Sequence, residues 1–180
     1  RTVTGVSSDS TTDRQADIPD WIRIVREGDT LSSYRSADGV EWIELGSASI
    51  PMTGSVHAGL AVTSHNANQE TEAVFESVEI DTFESWASQD VGSPALSGSA
   101  EVLGDGFRVR GAGHDIWGGQ DGFHFVGREL EGDVSITARV ASLRNTHAWA
   151  KAGVMIRDSL AADSAHAMTA VTAANGTSFQ

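Results

Sequence analysis

Trp21-Ile22-Arg23-Ile24-Val25-Arg26, then Glu27-Gly28-Asp29, then Thr30-Leu31-Ser32-Ser33-Tyr34-Arg35-Ser36 is the stretch that decides the fold. Its two outer segments are rich in β-branched and aromatic residues and alternate apolar with polar, while the middle one has turn chemistry. That is the pattern of two strands folded back on each other. Ala37-Asp38-Gly39 follows as a hairpin turn, because Asp-Gly accepts the positive φ that tight hairpins need, and Val40 to Leu45 is expected to return as the next strand. Val56 to Thr63 and Thr71 to Ile80 continue the pattern, with Asn66-Ala67-Asn68 looping between them.

The second half repeats the style. Asp105-Gly106 turns into Phe107 to Arg110, and Gly122 to Val126, Val134 to Val140, Ala148 to Arg157 and Ala165 to Thr172 follow between Gly- or Asp-bearing turns. The one helical candidate is a single turn over Ser159 to Ser164. Many short strands at even spacing imply an all-β chain folded as an antiparallel β-sandwich. The Ser-, Gly- and Asp-rich stretch Asp81 to Ser99, with Pro94, divides the chain into 1–82, a connector over 83–98, and 99–180.

At 180 residues and 39% hydrophobic content the chain can bury a core. It has no apolar run of about 18 residues of the kind that spans a bilayer. The absence of cysteine excludes disulfides, thiolate metal sites and a cysteine nucleophile. The net charge is −13, and Lys151 is the single lysine among twelve basic residues. Nucleic acid and anionic lipid are bound by clustered Lys and Arg, so neither is expected as a partner. An acidic, lysine-poor surface suits a secreted or cell-surface protein. No charged segment followed by an apolar stretch opens the chain, which starts in mid-pattern at Arg1 and stops after Phe179-Gln180 in a way that reads as two cuts.

Three segments carry a resemblance: Gly113-His-Asp-Ile-Trp-Gly118 with Asp121-Gly-Phe-His-Phe-Val126; Asn145-Thr-His-Ala-Trp-Ala-Lys-Ala-Gly-Val-Met-Ile-Arg157 with Ser159-Leu160; and Gly59-Leu-Ala-Val-Thr-Ser-His65, preceded by Ser36-Ala-Asp-Gly-Val-Glu-Trp42. Together they resemble a repeated module of large secreted bacterial proteins related to the concanavalin A-like (laminin-G-like) jelly roll. In that family the Asp-Ile-Trp and Trp-Ala-Lys-Ala-Gly segments come first and the Ser-Asp-Gly and Ser-His segments last. Here the order is reversed. The resemblance therefore implies the C-terminal half of one repeat joined to the N-terminal half of the next, a circularly permuted jelly roll whose halves pack as one sandwich with Gln180 near Arg1, and whose partners include neighbouring repeats.

Candidate chemistry is sparse. Glu79-Ile-Asp-Thr-Phe-Glu84 is similar to the Glu-Ile-Asp-x-x-Glu strand of concanavalin-like glucanases, in which two carboxylates act as nucleophile and general acid. A strand end running into a connector explains the same acids without catalysis. Ser36-x-Asp-Gly-x-x-Trp42 is similar to a sialidase-type Asp-box but lacks one of its residues, and a hairpin with Trp42 packed against it suffices. The six histidines show no His-x-x-x-His spacing, and no serine sits in a Gly-x-Ser-x-Gly elbow. His65 is favoured as a hydrogen-bonded strand end over a ligand. Asp115 and Asp121 flank Trp117-Gly-Gly-Gln120 and offer oxygens to a structural Ca²⁺. Turn-stabilising aspartates explain them without metal and are favoured, so no cofactor is expected.

A binding face is the better-founded expectation. Alternation along Trp149 to Arg157 puts Ala150, Ala152, Val154 and Ile156 on one face and Trp149, Lys151, Gly153, Met155 and Arg157 on the other. The second set joins an aromatic platform to two cations, which suits a shallow saccharide groove. His166 and Met168, and Thr63 with His65, are placed to line it. The competing reading makes Trp149 part of a second core layer. The sequence thus points to a non-catalytic extracellular accessory module that binds a polysaccharide or glycan through Trp149, Lys151, Arg157, His166, Thr63 and His65. The alternatives are a ligand-free spacer repeat and a glycoside hydrolase using Glu79 and Glu84.

Overall fold

A computed structural model describes residues 1–14, 18–52, 54–80 and 86–180. In chain order the strands are β1 (Thr11–Asp13), β2 (Asp20–Glu27), β3 (Thr30–Ser36), β4 (Ile43–Ser49), β5 (Ser55–Thr63), β6 (Asn66–Ile80), β7 (Ala87–Val91), β8 (Ser99–Leu103), β9 (Gly106–Gly113), β10 (Phe123–Glu131), β11 (Val134–Leu143), β12 (Lys151–Arg157), β13 (His166–Thr172) and β14 (Thr177–Phe179). They form two antiparallel sheets of seven strands. The first runs β1-β14-β13-β12-β5-β10-β7 and the second β4-β3-β2-β11-β6-β9-β8. The protein is an all-β antiparallel sandwich, and no helix occurs among the described residues.

The alternation read from the sequence sets the inner faces. Ile22 and Ile24 of β2 lie across from Ala138 and Ile136 of β11, and all four are buried. From the other sheet Val56, Ala58, Leu60 and Val62 of β5 and Ala152, Val154 and Ile156 of β12 meet them, with Phe75 among the largest fully buried side chains. Each large apolar side chain so buried contributes roughly 1.5–3 kcal/mol. Deep in this core the Ser33 and Thr169 hydroxyls bond across the two sheets at 2.6 Å, and Thr169 also donates to the Arg23 carbonyl. A buried hydroxyl costs free energy unless paired, and these two are paired.

The first sheet is covered on both faces, which is why β12 and β13 are buried at every position. Its outer face carries a smaller core of Ala61, Phe123, Phe125, Met155, Met168 and Ala170, roofed by Ile116 and Leu160. Ile116 lies on the segment between β9 and β10, and Leu160 on the segment between β12 and β13.

Both halves of the chain supply strands to both sheets. Gln180 exchanges backbone hydrogen bonds with Met168, and Arg1 with His166, so one register position, opposite Ala167, separates Gln180 from Arg1 along β13.

Several local expectations are corrected. The strand after the Asp38 turn begins at Ile43, not Val40. Asp38 accepts from the Val40 and Glu41 amides and the Ser36 hydroxyl, which prolongs the loop and holds its carboxyl below the usual range. Trp42 stacks on the Arg23 guanidinium, 3.8 Å from the ring centroid, and it is Trp21 whose indole lies against the turn at Gly39. Asn66 begins β6 rather than standing in a loop. Ser159 to Ser164 is bends and one turn, not a helix. Within the Ser- and Gly-rich stretch read as a connector lies the edge strand β7.

Candidate functional site

The outer face of the first sheet has two environments. Where Lys151, Ser178 and Gln180 point outward, a cavity of about 490 Å³ opens, lined also by Ser10, His65, Asp115, Trp117 and Trp149. Trp149 stands on the turn before β12, half-buried, and not on the strand itself as its alternation suggested. Trp117 belongs to the roof segment and is 42% exposed.

The cavity floor is polar. The buried Lys151 ammonium donates to Asp115 Oδ1 and, at 3.4 Å, to the Ile116 carbonyl. Burial pulls the Lys151 pKa down and Asp115 opposes it. Asp115 Oδ2 lies 3.1 Å from Nδ1 of His65, whose ring stacks on His147 with centroids 4.2 Å apart. Lys151 and Asp115 cancel in charge, so the floor is neutral but rich in dipoles.

Gln180, 5% exposed, donates from Nε2 to the Ile116 carbonyl at 2.9 Å, which fixes its amide. Its Oε1 and the Oγ of Ser178, 1% exposed, are buried without a protein partner. Buried polar atoms are nearly always paired. These two orphans belong to residues that line the cavity, but the atoms themselves have almost no accessible surface.

The remaining predicted residues lie elsewhere. Thr63 sits beside Lys151 in the sheet, but it is buried and its hydroxyl holds the Gly122 carbonyl at 2.9 Å. Arg157 and His166 are corrected more strongly. Both are fully buried at the far end of the face, under the Ser159–Ser164 segment and Arg1, and cannot meet a ligand. Arg157 donates to the Ser159 and Ala161 carbonyls, and its guanidinium lies 3.7 Å from Asp121. Arg1 grips both oxygens of Asp121 and reaches the Gly118, Ala162 and Ser164 carbonyls. Burial lowers the Arg157 pKa to about 10 and raises that of Asp121 against the pull of the two arginines. His166, 3.5 Å from Asp121, is held well below its ordinary value by burial and by the cations around it. This cluster ties loops to the sheet.

Asp115 and Asp121 face different partners, and no group of three His, Cys, Asp or Glu side chains that could hold a metal ion occurs among the described residues. Glu79 lines a shallow pocket of about 120 Å³ with Arg23, Ile80, Ser135 and Thr137. Glu84, its proposed partner, lies outside the described residues.

Sequence reasoning missed Trp117, Ser178, Gln180 and Ser10 as cavity residues. Trp117 was visible inside the Gly113–Gly118 motif. Ser178 and Gln180 belong to a three-residue strand and its flank, too short to show any period. No protein-family model matches the chain, and no curated protein matches it in sequence.

Proposed function

We propose that this cavity binds a neutral saccharide, and that the chain serves as an extracellular accessory module that brings its parent protein to a polysaccharide or glycan. The observation that carries this reading is the pairing of two tryptophans, Trp117 and Trp149, with the polar side chains of His65, Asp115 and Lys151 around one cavity. A sugar ring presents apolar C–H faces that stack on indole and hydroxyls that hydrogen-bond to polar side chains. The cavity volume falls in the range of small-ligand sites. The internal neutralisation of Asp115 by Lys151 favours an uncharged sugar over a uronic acid. No bond-breaking step is assigned to the cavity.

A second reading, a ligand-free spacer repeat, has its own observation. The rest of the outer face is an apolar second core around Met155 and Met168, as a purely structural face would be. Affinity electrophoresis of the folded chain through gels containing soluble polysaccharides separates the two. Retardation by a glycan that disappears in Trp149→Ala supports binding at the cavity. Unretarded migration in every gel supports the spacer.

A further inference from the structure

At the opposite edge of the first sheet, three strands from Lys151, lies a polar group that neither the core nor the cavity uses. Ser88 and Asp90 stand two residues apart on edge strand β7, and His124 lies across from Asp90 on β10. Register places all three on the side that looks toward the second sheet. Ser88 Oγ is 2.8 Å from His124 Nε2, and His124 Nδ1 is 2.7 Å from Asp90 Oδ1. Asp90 also accepts the Gly98 amide, at 3.0 and 3.3 Å to its two oxygens.

The hydrogen bonds fix the tautomer. A carboxylate only accepts, so His124 Nδ1 carries the proton toward Asp90, and Nε2 is left as the acceptor of the Ser88 hydroxyl. The imidazole is 2% exposed whereas Ser88 is exposed. A Cβ built on Gly98 would come within 2.4 Å of the ring's Cγ and Nδ1, so the backbone there presses on the imidazole and holds its plane. A hydroxyl open to solvent, a shielded base bonded to it, and a carboxylate orienting that base from behind is the arrangement that activates a serine.

We propose that Ser88 is an activated nucleophile that accepts the acyl group of small carboxylic esters. Ser88 Oγ adds to the ester carbonyl carbon as its proton passes to His124 Nε2. The C–O bond to the alcohol breaks, and the alcohol leaves with that proton. A water molecule, deprotonated by His124, then attacks the acyl-serine, and the acid departs as Ser88 recovers its hydrogen. Nothing beyond ester and water is consumed. The inference goes beyond the saccharide reading and rests on none of its residues.

The test is to treat the full chain with a fluorophosphonate probe and, separately, with p-nitrophenyl acetate. The proposal expects one probe adduct, mapped to Ser88, and release of p-nitrophenol at least about 100-fold faster than from Ser88→Ala, the lower end of what a positioned base supplies. It expects both reactions to slow in Asp90→Asn. Ser88 is exposed, so Ser88→Ala retains the fold, and a thermal melt verifies this. A folded chain that takes no adduct at Ser88, or that releases p-nitrophenol no faster than Ser88→Ala, overturns the proposal. Labelling of Ser88 at an equal rate in Asp90→Asn also overturns it.

Discussion

The Asp121 carboxylate and the Arg157 guanidinium lie 3.7 Å apart, and neither side chain has any exposed surface. With Arg1 on its other side, Asp121 balances two buried cations at once. Asp121→Ala should therefore destabilise the fold by about 3–5 kcal/mol, the cost of leaving buried charge uncompensated. Urea unfolding measures it, and a loss below about 1 kcal/mol would mean that water reaches the arginines.

The same cluster makes stability sensitive to mild acid. His166 has a folded pKa well below 6.5, so below that pH the unfolded chain binds a proton that the folded chain refuses. Stability should be unaffected by this group above about pH 6.5 and fall by up to about 1.4 kcal/mol per pH unit below it. His57, also held down by burial, acts in the same direction. Asp121, whose folded pKa is raised, acts oppositely, toward the carboxylate range. The Arg1 α-amino group, lowered by burial from 8.0 to about 6, adds a slope of the same sign as that of His166 between those values. Urea midpoints between pH 6.5 and 5.5 should therefore show the His166 contribution as the part that His166→Leu removes.

Gly39 has φ +79°, and a Cβ there would stand 2.9 Å from the Trp21 indole. Gly39→Ala meets both backbone strain and a ring held in place. A destabilisation of about 1–3 kcal/mol is expected in a thermal melt. An unchanged melting temperature would show that Trp21 is free to move.

For the cavity, Trp149→Ala and Trp117→Ala should each weaken glycan retardation by roughly tenfold, the equivalent of about 1.4 kcal/mol. Gln180→Met keeps the side-chain length but removes the Nε2 bond to the Ile116 carbonyl that pins the roof segment, and should weaken retardation about 3- to 10-fold through that hydrogen bond. Equal retardation of Gln180→Met and the parent would show that the Gln180 bond to the roof does not support binding.

The sandwich was legible because β2, β3, β5 and β11 alternate or carry β-branched runs long enough to show their period. The short strands β1, β8 and β14 were not, because three to five residues cannot establish one. β7 was hidden by the composition of Ala87-Ser-Gln-Asp-Val91, which resembles a linker. It holds two of the three residues in the Ser88–His124–Asp90 relay, so the polar residues that disguised the strand are the ones with chemistry. At the cavity, alternation correctly put Lys151 on the outer face. It could not distinguish the open end of that face from the end where Arg157 and His166 are buried, because strand alternation does not show how the adjoining Ser159–Ser164 segment and Arg1 fold over it. Trp149 and Lys151 remain neighbours at the cavity even though only one of them is in the strand.

The roof segment between β9 and β10 gives three consecutive residues three duties. Asp115 bonds Lys151, Ile116 fills the second core, and Trp117 walls the cavity. A ligand held by Trp117 is thus held by the same segment that seals Met155 and Met168 from water. Occupancy of the cavity and docking of the roof are then thermodynamically linked. Saturating ligand at 100 times its Kd would oppose lifting of the roof by about 2.7 kcal/mol. The imprint would appear as slowed amide hydrogen exchange across this segment, including residues that the ligand never touches.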